Sequence, residues 1–100
     1  MLIPQDADGP FISVQAPDWV TVVAELERPD SKPGFLIVRQ YRHGTEEVGL
    51  EFPAGVIDPG ETAAEAAARE LLEETGYKAS SLEEIGAVSP NPAFMTNTTY

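Results

Sequence analysis

The 100-residue chain has no cysteine and a single histidine, His43. It therefore forms no disulfide bonds, has no cysteine nucleophile, and cannot assemble a zinc site from Cys and His ligands within one chain. A metal ion bound by this chain would need oxygen ligands, which are typical of hard cations such as Mg²⁺ or Mn²⁺. We expect no functional role for His43, which precedes a glycine in a predicted loop.

Basic residues are also scarce, since 6 Lys and Arg oppose 17 Asp and Glu and give a formal net charge of −11. A surface of this charge repels nucleic-acid backbones and anionic lipids, so we expect neither nucleic acid nor membrane as a partner. No apolar run approaches the roughly 20 residues needed to cross a bilayer, and the first residues lack the pattern of a signal peptide. These absences predict a cytoplasmic protein.

The composition that remains is typical of one globular domain, with 42% hydrophobic residues. Residues 1–17 carry three prolines and are predicted to form an extended arm with a short strand at Phe11–Val14. The apolar run Phe35–Val38 is typical of a strand buried on both faces. Further strands are predicted at Val20–Leu26, Leu50–Phe52, Ile85–Ser89 and from Thr98 onward.

A helix over Ala63–Thr75 is the best-defined element. Thr62 and Glu65 have the spacing of a capping box, and Gly76 follows as the C-terminal stop. The preceding Asp58-Pro59-Gly60 is suited to a type II turn. The face toward the core is predicted to consist of Ala64, Ala67, Ala68, Leu71 and Leu72.

Three carboxylates, Glu70, Glu73 and Glu74, fall within about 100° of one another on this helix. They repel one another, and they lie in the last turns, where the helix dipole disfavours negative charge. Arg69 can orient one of them by pairing with Glu65 or Glu73, but it cannot neutralise all three. The arrangement indicates a site for a divalent cation. The alternative is a solvated helix face that only keeps the protein in solution.

The helix is part of a longer pattern, Gly55-x₅-Glu61-x₇-Arg69-Glu70-Leu71-x-Glu73-Glu74-x-Gly76. This pattern resembles the signature box of the Nudix hydrolases over residues 55–77, with Tyr77 in place of the usual aliphatic residue. The resemblance implies a single domain, residues 1–100, of the α/β (α+β) class, with the α/β/α sandwich and mixed sheet of that family. Because such a domain continues beyond the position of Tyr100, we expect the chain to be truncated at its C-terminus.

The resemblance also implies roles for the residues of the box. The metal ligands for Mg²⁺ or Mn²⁺ would be Glu70 and Glu74, often with Glu73 and the backbone carbonyl of Ala54. Glu73 is the candidate catalytic base, and a glutamate beyond residue 100 is the alternative. The residues expected to brace the box are Gly55, Glu61, Arg69 and Gly76.

Three features outside the box resemble the ADP-ribose pyrophosphatase branch of the family. They are the run Arg39–Arg42, the sequence Glu51–Gly55 that leads into the box, and Pro92, which lies 15 residues after Tyr77. The resemblance implies hydrolysis of ADP-ribose, or a similar nucleoside diphosphate sugar, to AMP and a sugar phosphate. The alternatives are another sugar nucleotide or a nucleoside triphosphate as substrate, or a non-catalytic module that senses a nucleotide.

Arg42 is expected to contact a phosphate, because a guanidinium group binds two phosphate oxygens at once. The alternative for Arg42 is a surface ion pair with Glu46 or Glu47. Arg39 and Pro92 are assigned to the same substrate site, Arg39 mainly as a brace, and Trp19 either stacks on adenine or packs in the core. Members of this branch commonly form homodimers by exchanging N-terminal strands, which residues 1–17 are suited to do.

Overall fold

The computed structural model describes residues 12–30 and 32–100. Within these ranges the elements are β1 Trp19–Thr21, β2 Glu25–Leu26, β3 Gly34–Phe35, β4 Val38–Arg42, β5 Glu47–Glu51, β6 Ala54–Val56 and α1 Ala63–Thr75. The strands form three antiparallel pairs, β1 with β6, β2 with β3, and β4 with β5. No helix in the described part of the chain combines the length and the apolar composition needed to cross a membrane.

Helix α1 begins and ends at the predicted residues. The Thr62 hydroxyl accepts a hydrogen bond from the Glu65 N–H, and the Glu65 carboxylate accepts one from the Thr62 N–H, each at 3.1 Å. At the other end Gly76 has the left-handed φ of 78° and donates its N–H to the Leu72 carbonyl. The capping box and the glycine stop therefore define both ends of the helix from local sequence alone.

The turn before the helix also forms as predicted. The Glu61 N–H donates to the Asp58 carbonyl at 3.0 Å, and Gly60 has a φ of 82°. A type II turn needs a positive φ at its third residue, which glycine adopts without steric cost.

The core lies between α1 and the β1–β6 pair and consists of Val20, Val22, Ala66, Ala67 and Leu71. The predicted core face of the helix is partly wrong, since Leu72 is 51% exposed and Ala64 is exposed, whereas Ala66 is fully buried. At 100° per residue, Glu70 and Glu74 fall between Ala66 and Leu71 on the helix surface. The helix is therefore rotated so that two of its acidic residues share the face that packs against β6.

The predicted strand Val20–Leu26 is divided into β1 and β2. The division follows a change of partner, because the Val22 N–H donates to the Pro53 carbonyl next to β6, whereas the Ala24 carbonyl accepts from the Leu36 N–H next to β3. The strand predicted at Leu50–Phe52 begins earlier, as β5, and β6 is not among the predicted strands.

The prediction of one doubly buried strand at Phe35–Val38 is wrong. Phe35 ends β3 and Val38 begins β4, whereas Leu36 and Ile37 belong to neither strand, and Phe35 is 57% exposed. An apolar run specifies a preference for burial, but the neighbours that would cover both faces come from elsewhere in the structure. Within the described residues Phe35 has an edge contact with Phe52, at 6.2 Å between ring centroids.

The end of the chain lies beside β1. The Trp19 N–H donates to the Thr98 carbonyl at 2.9 Å, and the Tyr100 N–H donates to the Trp19 carbonyl at 2.8 Å, in parallel register. Strand β1 thus has an antiparallel neighbour on one side and a parallel one on the other, as a mixed sheet requires.

Two other strands predicted toward the ends of the chain each form only a single β-bridge. Of the strand predicted at Ile85–Ser89, Val88 pairs with Thr99, and of the strand predicted at Phe11–Val14, Val14 pairs with Met95. Residues 1–11, most of the predicted arm, lie outside the described residues.

The capping box generates a stability prediction. We expect Thr62→Ala to lower the free energy of unfolding by about 1 kcal/mol, because the Glu65 N–H loses its acceptor. Urea denaturation followed by circular dichroism measures the change. The matched control is Thr45→Ala, at an exposed threonine in the turn between β4 and β5, and an equal loss in both variants would contradict the prediction.

Candidate active site

The Glu70 side chain of helix α1 lies against Gly55 of β6. A Cβ atom at Gly55 would overlap the carboxylate of Glu70, so the Glu70 side chain fills the space that the glycine leaves open. This side chain is only 13% exposed. A residue with a side chain at position 55 would displace the buried Glu70 carboxylate. Glycine is therefore the residue that fits this position.

Arg69 connects the elements around this contact. Its Nε and Nη2 atoms donate to the two carboxylate oxygens of Glu61, each at 2.8 Å, and Nη2 also donates to the Val56 carbonyl at 2.9 Å. Its Nη1 atom donates to Glu70 at 2.8 Å. One guanidinium group therefore ties the turn before the helix, strand β6 and the helix itself together.

These contacts change the acidity of the groups involved. The Arg69 hydrogen bonds, helped by the Asp58 N–H, lower the pKa of Glu61 to about 2, and the carboxylates of Glu61 and Glu70 raise the pKa of Arg69. Of the two partners predicted for Arg69, Glu65 is used in the capping box instead. The contact with Glu73 forms, but it is longer, at 3.4 Å.

Glu74 lies one turn beyond Glu70 and reaches the start of β6. The Ala54 N–H donates to the Glu74 carboxylate at 3.1 Å. Partial burial raises the pKa of Glu74, the hydrogen bond from Ala54 opposes that effect, and the negative charge of Glu70 raises the pKa further. The two carboxylates are thus close enough to repel each other.

The predicted metal ligands are only partly drawn together. Glu70 and Glu74 face β6, whereas Glu73 is 59% exposed and contacts Arg69. Across residues 12–30 and 32–100, no three His, Asp or Glu side chains already surround one ion position.

The chemistry of this region nevertheless fits a hard divalent cation. All the available donors are oxygens, and a cation would relieve the repulsion between Glu70 and Glu74. Gly55 also leaves room for a carboxylate against the backbone of β6. Glu70 and Glu74 are the side chains placed to hold such an ion.

Arg42 lies near this acidic pair, but its ion-pair partner differs from the expected alternative. Its Nε and Nη2 atoms donate to the carboxylate of Glu51, the shortest distance being 2.6 Å, and no pair with Glu46 or Glu47 is present among the described residues. The hydrogen bonds to Glu51 raise the pKa of Arg42, and Arg42 lowers the pKa of Glu51. Glu51 has this role although the sequence reasoning assigned it none.

A cleft of about 540 Å³ opens beside Ala54. One wall comes from β1 and the β4–β5 hairpin, and the other comes from residues 90–99. We call it the Asn97 cleft; its lining includes Trp19, Arg42, Glu51, Ala54, Met95 and Asn97. Trp19 therefore lines a surface cleft rather than the core.

The other predicted substrate residues lie outside the lining of this cleft. Arg39 is exposed, and the alternation of β4 places it on the opposite face from Arg42. Pro92 belongs to the same 90–99 segment as Asn97 without lining the cleft. Asn97 was missed by the sequence reasoning because an asparagine among threonines carries no periodic or spacing signal.

Comparison with known proteins identifies the class to which this site belongs. Residues 17–100 match the NUDIX domain, and the chain therefore belongs to the Nudix family. It is 41% identical over 83 residues to the ADP-sugar pyrophosphatase of Mus musculus, which covers 83% of this chain and 38% of that protein. It is 42% identical over 82 residues to the ADP-ribose pyrophosphatase of Saccharomyces cerevisiae, with 81% of this chain and 35% of that protein covered.

A solved structure agrees with these relatives. The crystal structure of an ADP compounds hydrolase superposes with a TM-score of 0.71 and 35% identity, over 82% of this chain and 42% of that one. The predicted α/β fold class and the resemblance to the ADP-ribose pyrophosphatase branch are confirmed. The chain spans 26% to 52% of the length of the first four curated relatives that it matches.

The contact at Gly55 generates a prediction. We expect Gly55→Ala to lower the free energy of unfolding by about 1–3 kcal/mol, the range for overpacked sites, because the new methyl group displaces the Glu70 carboxylate. Thermal denaturation measures the loss. Gly86→Ala is the control, since a Cβ there meets no atom within 4 Å. Equal stability of the two variants would mean that Glu70 does not occupy the space above Gly55.

The acid side of the pH–stability profile tests the Arg69–Glu61 pair. Because folding lowers the pKa of Glu61 from 4.5 to about 2, its contribution is complete above about pH 4.5 and is lost as the pH falls toward 2. We expect Glu61→Gln to be less stable than the parent at pH 7 and the difference to shrink across that window. Urea midpoints from pH 7 to pH 2.5 measure it. Glu27→Gln, at an exposed residue, is the control, and a difference that stays constant with pH would contradict the assignment.

Proposed function

We propose that the protein is a divalent-metal-dependent hydrolase that cleaves the pyrophosphate of ADP-ribose, or of a similar ADP-sugar, to AMP and a sugar phosphate. The observation that carries this proposal is the pair of repelling carboxylates, Glu70 and Glu74, held against β6 at the edge of a cleft that contains Arg42. The similarity to an ADP-sugar pyrophosphatase and an ADP-ribose pyrophosphatase supports the choice of substrate.

The proposed ligands of Mg²⁺ or Mn²⁺ are Glu70 and Glu74, with Glu73 and the Ala54 carbonyl completing the set. When bound there, such an ion polarises a phosphate oxygen and lowers the pKa of a bound water molecule. The requirement for an ion follows from the charges, because a pyrophosphate is repelled by these carboxylates in its absence. Gly55 and Arg69 hold Glu70 in place for this task.

Arg42 is proposed to bind a phosphate oxygen of the substrate. Glu51 engages its Nε and Nη2 atoms and so fixes the guanidinium plane, while Nη1 has no hydrogen-bond partner among the described residues. The negative charge of Glu74 also acts on Arg42, which indicates that the two groups are close. An arginine oriented by one carboxylate can present its remaining N–H groups to a phosphate without losing much side-chain freedom.

Glu73 is the proposed proton acceptor for the attacking water. Of the three helix carboxylates it has the weakest link to Arg69, at 3.4 Å compared with 2.8 Å for Glu70, and it is largely in solvent. A glutamate outside these 100 residues is the alternative base.

The direct test is Glu74→Gln. We expect the variant to lose turnover of ADP-ribose with Mg²⁺ by about 100-fold or more, since replacing even a supporting residue of a metal site costs up to that factor. Chromatographic detection of AMP measures turnover, and circular dichroism checks that the fold is retained. Glu83→Gln, at an exposed glutamate outside the box, is the matched control.

Other outcomes would replace the proposal. Full turnover by Glu74→Gln would mean that the metal site is misplaced. Tight binding of ADP-ribose by the parent without release of AMP would indicate a nucleotide sensor. Cleavage of GDP-mannose or of a nucleoside triphosphate in preference to ADP-ribose would assign a different substrate.

A further inference from the structure

Two parallel β-bridges connect the segment before and within β1 to the end of the chain, and the pairing between them is irregular. One bridge joins Val14 to Met95, and the other joins Trp19 to Thr99. The first two partners on the β1 side are five residues apart, whereas their partners near the chain end are four apart. The segment that leads into β1 therefore contains one extra residue between the bridges, as in a β-bulge.

The extra residue decides which way β1 presents its side chains. Met95, Asn97 and Thr99 alternate along one side of the chain end, and all three line the Asn97 cleft. Trp19 pairs with Thr99 and lines the same cleft. A regular ladder continued from the first bridge would pair Thr99 with Asp18 instead, and Trp19 would then face the opposite side.

Side chains replace the backbone hydrogen bonds that the irregular pairing removes. In a regular parallel ladder the Ala16 N–H would donate to the Thr96 carbonyl, and the Thr98 N–H would donate to the Ala16 carbonyl. In this structure the Ala16 N–H donates to the Thr96 hydroxyl at 3.1 Å. The Thr98 N–H donates to the Asp18 carboxylate at 2.8 Å. The cleft wall is thus held across the break by two side chains.

Asp18 connects more of the structure than Thr96 does. Its backbone carbonyl accepts a hydrogen bond from the Ile57 N–H, directly after β6, at 2.8 Å. Its carboxylate holds Thr98, and a hydrogen bond to a charged acceptor is stronger than one between neutral groups. Asp18 itself does not line the cleft. It is therefore placed to act through the wall and not by touching a substrate.

We infer that Asp18 is a positioning residue, which holds the 95–99 wall of the Asn97 cleft against β1 and keeps Trp19 on the cleft side. The inference rests on the proposed function for the identity of the substrate that meets this wall. A wall that is fixed before the substrate arrives does not have to be ordered during binding, so less binding free energy is lost.

The first test measures the hydrogen bond itself and needs no turnover. Hydrogen exchange of the Thr98 amide, followed by NMR, is expected to be about tenfold faster in Asp18→Ala than in the parent, the effect of losing one hydrogen bond. Asp18→Asn keeps an oxygen acceptor and is expected to exchange at the rate of the parent. Asp30→Ala, at an exposed aspartate in the turn between β2 and β3, is the matched control.

The second test separates positioning from a merely structural role. With ADP-ribose and Mg²⁺, Asp18→Ala is expected to raise KM about tenfold and to leave kcat unchanged, because only a fraction of the molecules has the wall in place. Asp18→Asn is expected to restore the KM of the parent. Acrylamide quenching of Trp19, the single tryptophan of these 100 residues, is expected to increase in Asp18→Ala alone.

Four results would overturn the inference. One is exchange of the Thr98 amide in the parent at the rate of an unstructured peptide, which is informative even if Asp18→Ala does not fold. Another is equal exchange in the parent and Asp18→Ala. The third is a lower melting temperature of Asp18→Ala with unchanged KM, and the fourth is an Asp18→Asn variant as impaired as Asp18→Ala. Failure of the proposed function is recognised separately, as absence of AMP release by the parent, and amide exchange and quenching then still decide the role of Asp18.

Discussion

The close approach of helix α1 to strand β6 is the contact on which the candidate site depends. Gly55 has no side chain, so the helix lies near enough for the Glu70 carboxylate to rest against the strand backbone. The same approach carries Glu74 to the Ala54 N–H and buries Ala66 completely. The absence of a side chain at Gly55 therefore helps to position both the hydrophobic core and two acidic side chains.

Placing carboxylates on a core-facing helix surface is electrostatically unfavourable, and Arg69 offsets only part of that cost. It donates two hydrogen bonds to Glu61 and one to Glu70, and those to Glu61 lower the pKa of that carboxylate. The Glu74 carboxylate accepts one hydrogen bond, from the Ala54 N–H, and the pKa of Glu74 is raised. The residual negative charge is concentrated beside the cleft, where the proposed cation would relieve it.

The two sides of the cleft also differ in how far their polar side chains are paired. On one side Arg42 is paired with Glu51, with its shortest distance at 2.6 Å. On the other side the backbone next to Asn97 is hydrogen-bonded, and its side-chain oxygen accepts no hydrogen bond from the residues that the structure describes.

The sequence predicted the features that depend on a few neighbouring residues. The bounds of α1, its capping box, its glycine stop and the turn at Gly60 all follow from interactions within four residues, so they can be recognised by spacing. The box pattern identified the family and the acidic residues for the same reason. The strands were predicted less well, because Val20–Leu26 changes partners from β6 to β3 midway, and no local pattern records that change.

The sequence by itself therefore determined the class of protein, the helix and which carboxylates it carries. The tertiary structure alone decided which way those carboxylates face, that Arg42 pairs with Glu51, and that Asn97 is buried without a partner for its side-chain oxygen among the described residues. The physical reason is the range of the interactions. Capping and turn formation act between neighbours along the chain, whereas helix rotation, ion-pair choice and burial depend on residues that are distant in sequence and meet only in the folded protein.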